Sequence, residues 1–404
     1  MMDTGKARDL TVKRRFNLKK FLGGWEMTLV YILLLINIAL ITTRTELYFT
    51  PGTIQAIIQS SLDLSFMVLG MVFILLLGDI DVSIASVMIA SAMTVGLVYQ
   101  STGSDVLGII AGLATGVVCG LFNGVLVAVV KMPAVIVTIA SSMFFRGMVQ
   151  IILGVNSLKE FPSWFSSLGW DNIAGIPIIL WCFIIATIIF GLILHKTKFG
   201  RQLYIIGNNA EAAIYSGIPV RKIKIKVFCI MGFMCGVSSI FFIGRFGGVS
   251  STMGTGYELD VIAIAVLGGV STMGGKGRIY GPFIAALVME FLFYALGLYG
   301  VEANTRKIIT GIVLIIAVLI PKLNRQFLND LYLRFFCRGD RSIASIHYKM
   351  QIETDALSEK IRAIRFDNTL SKEDKRRKTA ELSDNIKAVR EKAKADVSAA
   401  KRKK

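Results

Sequence analysis

Ten apolar runs, most of them close to twenty residues long, punctuate this chain between residues 25 and 321. Coiled into a helix, a run of that length matches the roughly 30 Å hydrocarbon thickness of a bilayer. Hydrocarbon offers the backbone no water, so a spanning segment is either a helix or part of a closed barrel. Barrel strands alternate apolar and polar residues. These runs do not, so the sequence predicts an all-α polytopic membrane protein of about ten transmembrane helices. The predicted spans are 25–42, 58–77, 82–99, 106–130, 134–153, 176–194, 225–243, 259–272, 279–298 and 307–321; the second and eighth are short or polar at their ends. No small-x-small cleavage site follows the first run, which reads as a retained span and not as a signal peptide.

Charge orients the predicted bundle. The formal net charge is +18, and much of it lies in the flanks: residues 1–20 carry seven bases and two acids, and residues 322–404 carry 22 bases and 12 acids. The chain therefore divides into a basic N-terminal segment (1–24), a transmembrane domain (25–321) and a charged tail (322–404). In the tail, Leu382, Ile386 and Val389 mark a short helical stripe; the segment reads as helical or partly disordered. An even span count puts both termini on one side, which the positive-inside rule makes cytoplasmic. Membrane topology accounts for the basic charge, and a nucleic-acid partner is not expected.

The same parity places the polar island from His195 to Lys226 in the cytoplasm. It holds seven bases (Lys196, Lys198, Arg201, Arg221, Lys222, Lys224 and Lys226) and a single acid, Glu211. At the centre of this loop (195–224), Ala210, Glu211, Ala212 and Ala213 followed by Gly217 form a short helix-competent piece that a cytoplasmic machine could grip. Within the fourth span, Gly108, Gly112, Gly116, Gly120 and Gly124 recur every fourth residue. At 100° per residue they make one ridge without side chains, the kind of surface on which helices approach closely in lipid. Ile80-Asp81-Val82 at the third span is echoed by Leu259-Asp260-Val261 at the eighth. Five spans separate the two, so they face opposite sides, as in an inverted repeat.

Charge within hydrocarbon is costly and calls for a bundle-interior partner or a hydrated path. Asp63, Asp79, Asp81, Asn123, Arg146 and Glu290 lie in or beside spans, and Tyr257, Glu258 and Asp260 lie at the predicted outer mouth. Of these, Asp79, Asp81, Asn123, Arg146, Tyr257, Glu258 and Asp260 are the candidates for lining a translocation path. The run Gly268 to Arg278 is rich in glycine but is not a phosphate loop: Val270 and Gly277 stand where a glycine and a Ser/Thr are needed. The chain is thus not expected to be an enzyme or to bind ATP or another cofactor itself. The five cysteines lack metal-ligand or CxxC spacing and read as small hydrophobes. The two histidines are isolated, so no metal site is expected.

Several ordered motifs over residues 25–321 resemble the membrane permeases of bacterial ABC importers for ribose and related monosaccharides. Gly78-Asp79-Ile80-Asp81-Val82-Ser83 is similar to that family's Gly-Gly-Ile-Asp-Leu-Ser signature, with Asp79 in place of a glycine. Asn123 to Val127, Met132 to Thr138 and Arg146-Gly147 follow its middle motif. Thr197 to Arg201, Gly207 to Asn209, Glu211 to Ala213 and Ser216 to Ile218 resemble its coupling region. The most specific stretch runs from Gly254 to Asp260, then Val266 to Gly269 and Gly274 to Gly277. The resemblance implies an ABC importer permease fold in the bacterial plasma membrane and a path formed with a second permease, identical or sister. It further implies ATP bound by cytoplasmic ABC ATPase subunits that grip Ala210 to Gly217, and an extracytoplasmic sugar-binding protein docking outside. Two other readings of the residues stand beside it: an ATP-independent secondary transporter or channel, and a membrane scaffold whose basic tail recruits partners.

Overall fold

The computed structural model describes residues 25–43, 46, 52–59, 62–159, 161–319, 341–366 and 372–402. The basic segment 1–24 and the start of the tail, 322–340, lie outside the described residues. The described part divides into two units at the end of the tenth predicted span.

The first unit is a helical bundle. Its elements are α1 (Trp25–Thr43), α2 (Thr53–Gln59), α3 (Leu62–Leu76), α4 (Ile84–Thr102), α5 (Asp105–Ala128), α6 (Ala134–Leu153), α7 (Ser163–Trp170), α8 (Ile178–Lys196), α9 (Lys198–Asn208), α10 (Ala210–Tyr215), α11 (Val220–Phe246), α12 (Tyr257–Leu267), α13 (Tyr280–Leu298) and α14 (Ala303–Leu319). The second unit holds α15 (Arg341–Phe366) and α16 (Lys372–Arg402), which pack against each other.

Seven helices among the described residues are long and apolar enough to cross a membrane: α1, α4, α5, α6, α8, α11 and α13. Of the other three predicted spans, α14 is as long as expected and two are shorter. At 1.5 Å per residue the 15 residues of α3 reach about 22 Å and the 11 of α12 about 16 Å, short of a bilayer core. α3 starts four residues later than expected, α12 ends five residues earlier, and glycine follows both. Gly78, at φ +78°, follows α3, and Gly268-Gly269 follow α12. Non-helical backbone at membrane depth is tolerated where protein surrounds it. All 15 residues of α3 are buried, so α3 is the central post of the bundle.

The glycine ridge of α5 meets two helices. A Cβ at Gly108 or Gly112 would crowd Val95 of α4; one at Gly116 or Gly120 would fall on the carbonyl oxygens of Gly232 and Phe228 in α11; one at Gly124 would press on Ile225 and Phe228. The ridge thus draws α4 and α11 onto α5, with Gly232 and Gly236 as counterparts on α11.

Two segments expected to be plain loops carry structure. Residues 43–57 include α2, and 154–175 include α7 and the first strand of a two-stranded antiparallel hairpin, β1 (Asn172–Ile173) with β2 (Ile176–Pro177). Tryptophan anchors them. Trp164 donates to Asp105 Oδ2 at 2.7 Å, Trp170 to the Arg245 carbonyl at 3.3 Å and Trp181 to the Ile173 carbonyl at 3.3 Å. Indoles gathered at one end of a bundle are the mark of a membrane–water interface. α9 and α10 lie at the opposite end.

Candidate functional site

At the α10 end, three glycine-bearing segments cross. A Cβ on Gly207 would collide with the Leu76 carbonyl and the Gly275 amide, and one on Gly274 would meet Gly207 and Gly78. The Gly275 amide donates to the Leu76 carbonyl at 2.9 Å. Tyr204 Oη donates to the Gly277 carbonyl at 2.7 Å; burial raises the phenol's pKa, which keeps it a neutral donor. The glycine-rich run that resembled a phosphate loop is therefore a packing joint, bracing α9 against the end of α3.

On this brace stands α10. Asn209 Oδ1 caps it by accepting from the Ala212 amide at 2.9 Å, a standard N-cap contact. Gly217, at φ +76°, closes it, and the Ile218 amide returns to the Ala213 carbonyl at 3.0 Å. Ala210, Glu211, Ala212 and Gly217 are exposed, whereas Ala213 is fully buried and forms the seat of the helix rather than its presented face. The sequence reading missed the two residues that project furthest: Tyr215, 92% exposed, and Ile214, 59% exposed. The sequence carried no signal for them, because the same island also holds Phe199, Tyr204, Ile205 and Ile206.

The path candidates separate into two groups. Near the α10 end, Lys224 Nζ of α11 lies 2.6 Å from Asp79 Oδ2, with both side chains partly exposed. Asp81 is buried and accepts from the Ser83 amide at 2.8 Å and the Ser83 hydroxyl at 2.6 Å, securing the start of α4. Asn123 of α5, also buried, donates to Ser83 Oγ at 2.8 Å. At the tryptophan end, Arg146 of α6 donates to the carbonyls of Ser251 at 2.8 Å and Met253 at 3.0 Å, and Glu258 acts electrostatically on it. Asp260 bonds Thr310 of α14.

Tyr257 belongs to a buried ionic cluster whose basic member the sequence reading did not single out. Arg245, in the last turn of α11, places Nη1 2.7 Å from Asp63 Oδ1 of α3 and donates through Nη2 to Tyr257 Oη at 2.7 Å. Asp63 is fully buried and the Arg245 side chain is 8% exposed. Glu290 of α13, 1% exposed, adds its field to the same guanidinium. Arg245 and Tyr257 line a cavity of about 720 Å³ between α12, α13 and α14, shared with Asp260, Lys307 and Thr310. The signal for Arg245 was available: a base at the base-poor end of an apolar run demands an intramembrane acid.

A family model described as "Branched-chain amino acid transport system / permease component" matches residues 53–318. An L-arabinose ABC transporter permease protein of Azospirillum brasilense is 32% identical over 307 residues, 75% of this chain and 91% of that protein. A ribose import permease protein of Escherichia coli K12 is 33% identical over 293 residues, 72% of this chain and 91% of its own length. The Bacillus subtilis ribose import permease is 34% identical over 256 residues, 63% of this chain and 79% of that protein. No solved structure matches the chain significantly.

Proposed function

This chain belongs to the permease family described as "Branched-chain amino acid transport system / permease component", and from that premise we propose that it forms the translocation path of an ATP-driven importer for a monosaccharide or sugar-like solute. The relatives named above as ribose and L-arabinose permeases support the substrate class. The observation that carries the mechanism is α10: a capped, braced helix of six residues that offers Ile214, Tyr215 and Glu211 to solvent at the basic end of the bundle. Exposed aromatic and aliphatic side chains around one charge suit a protein groove. ATP then binds and is hydrolysed on separate cytoplasmic ABC ATPase subunits, which grip α10; Ala213 seats the helix and Gly217 ends it. A second permease completes the path, and a sugar-loaded binding protein docks at the tryptophan end. The basic end faces the cytoplasm of a bacterial plasma membrane, both termini included.

The intramembrane charges that favoured an ATP-independent transporter find partners within the bundle. Asp79 pairs with Lys224 and Asp63 with Arg245. They therefore form no free proton relay, and that reading loses its main support. Asp79, Asp81, Asn123, Arg146, Tyr257, Glu258 and Asp260 remain the candidates for polar walls of the path, Tyr257 and Asp260 in the lining of the cavity. The test is uptake of a labelled sugar panel into proteoliposomes holding the permease, its ATPase and its binding protein. Uptake should require ATP and stop when the ATPase is inactivated; uptake that persists without hydrolysis overturns the proposal.

Two consequences concern α10 directly. Tyr215→Ala should weaken ATPase capture by about 30-fold, the effect of losing an interface anchor worth about 2 kcal/mol. Glu211→Lys should also weaken it while leaving the melting temperature of the permease alone, since the position is exposed. Gly217→Trp should weaken it too, with a loss of stability of about 1–2 kcal/mol because a side chain at φ +76° is strained. Gly217 has open space around it, so a tryptophan there would project into the partner. Quantitative co-purification from detergent reads all three; wild-type recovery of ATPase in each variant would remove α10 from the interface.

A further inference from the structure

The ion pairs of α3 and α11 share a geometry that neither shows alone. Asp63 stands at the start of α3 and Asp79 three residues beyond its end; Arg245 stands in the last turn of α11 and Lys224 in its second turn. The two helices are antiparallel and pinned to each other at both ends, by Asp63–Arg245 at 2.7 Å and by Asp79–Lys224 at 2.6 Å. Between the pins they are closed along their length. Phe66 stacks on Phe241 with centroids 4.6 Å apart and planes 3° from parallel. Ser238 Oγ donates to the Asp63 carbonyl at 2.7 Å. A Cβ on Gly70 would lie 3.2 Å from Met231 Cα and 3.5 Å from Met234 Cβ.

α11 also joins the two functional ends. Its 27 residues contain no proline and reach about 40 Å. It starts three residues after Gly217, and the Ile218 amide still bonds back into α10. At its other end Arg245 lines the cavity and holds Tyr257, the first residue of α12. A rod that runs unbroken from the turn after α10 to the cavity wall transmits displacement if it does not slide along its neighbours, and α3 is the neighbour to which it is pinned.

We propose that α3 and α11 move as one strut, and that Arg245 is the positioning residue through which displacement of α10 reaches the cavity between α12, α13 and α14. This rests on the reading that α10 takes the ATPase contact. In the strut, Asp63 keeps the guanidinium fixed to α3, and Tyr257 is the handle by which the strut shifts α12. Movement at the α10 end thus changes the shape of the cavity at the far end without any change in the contacts between α3 and α11.

The experiment uses the complex of permease, ATPase and binding protein in proteoliposomes, in a background whose native cysteines are replaced. Gly70→Cys with Met234→Cys puts two Cβ atoms about 3.5 Å apart, within the range a disulfide requires, and Met231→Ala is added to clear the thioether sulfur that lies 2.7 Å from a Cβ at position 70. Mild oxidation should form the bond and leave ATP-driven uptake within about twofold of the reduced protein, because a strut loses nothing by being stapled. Failure of the bond to form, or uptake lost on oxidation and regained on reduction, overturns the proposal. The second arm removes the outer pin by neutralising both of its members. Asp63→Asn with Arg245→Gln should lower uptake at least tenfold while basal ATPase activity and ATPase capture stay near wild type, and the exchange Asp63→Arg with Arg245→Asp should restore part of it. Tyr257→Phe, which deletes one hydroxyl, should lower uptake per ATP while ATPase capture stays near wild type. Wild-type uptake in the neutral double variant or in Tyr257→Phe counts against Arg245 as the transmitting residue. Should Tyr215→Ala leave ATPase capture intact, the α10 reading fails instead, and the stapling result still reports whether the two helices slide.

Discussion

Gly116→Leu is expected to leave little folded permease in the membrane. A Cβ at Gly116 would land on the carbonyl oxygen of Gly232, and a Cβ at Gly232 on that of Gly116. The two backbones touch, and neither carbonyl has a rotamer by which to move aside. Overpacking a core with side-chain neighbours costs about 1–3 kcal/mol. Here the obstacle is backbone on a helix that must keep its own hydrogen bonds, so the cost should reach about 3 kcal/mol or more, the top of that range. In lipid, close packing and interhelical hydrogen bonding take the place of the hydrophobic effect in joining helices, so a lost contact of this kind is not offset by apolar burial elsewhere. Gly147→Leu supplies the control: it is the same substitution in a neighbouring helix, but no atom lies within 4 Å of a Cβ there. Folded yield and detergent melting should separate the two sharply. Equal melting temperatures would mean that α5 and α11 do not approach as closely as the glycines allow.

Why this ridge was visible in the sequence while its partners were not follows from what each depends on. A four-residue period is a local property, fixed by helix geometry, so Gly108 to Gly124 declare a smooth face wherever the helix sits. That Gly116 faces Gly232 is a tertiary fact linking residues far apart in sequence, and nothing local records it. The same division explains the charges. Asp63 and Glu290 stood out because carboxylates are rare in apolar runs, yet their proximity to Arg245 depends on how α3, α11 and α13 are brought together. The spans were legible from length and hydropathy, and α3 ends within one residue of its predicted limit; its later start and the early end of α12 were not legible, because apolar residues flank both and only Gly268-Gly269 mark the stop of α12. For α10 the helix itself was readable from its alanines and its Asn209 cap. Its outward face was not: nothing local to the sequence records that Ala213 is fully buried and Tyr215 92% exposed, because that depends on which side of the helix meets the bundle.

The two pins of the α3–α11 pair should respond very differently to the same chemical change. Asp63→Asn leaves Arg245 charged at a site where the guanidinium is 8% exposed and its neutralising partner is gone. Breaking a buried pair from one side typically costs about 3–5 kcal/mol, because the remaining charge is desolvated without compensation. Asp79→Asn deletes a carboxylate with 14% of its side chain exposed, facing a lysine with 20% exposed. Lys224 sits on a long flexible stem and can turn to water, so the loss there should be closer to the roughly 1 kcal/mol upper range of surface pairs. Adding Arg245→Gln to Asp63→Asn should recover part of the stability lost in the single variant, since the guanidinium stranded by that variant is then gone and only the carboxylate of Glu290 remains in the cluster. Melting of the purified protein in one detergent, measured for both single variants and the double, tests the whole argument. If Asp63→Asn and Asp79→Asn melt alike, burial is not what decides the worth of these pairs. If the double variant melts below Asp63→Asn, the guanidinium is held by Tyr257 and the field of Glu290 strongly enough to stand without its aspartate.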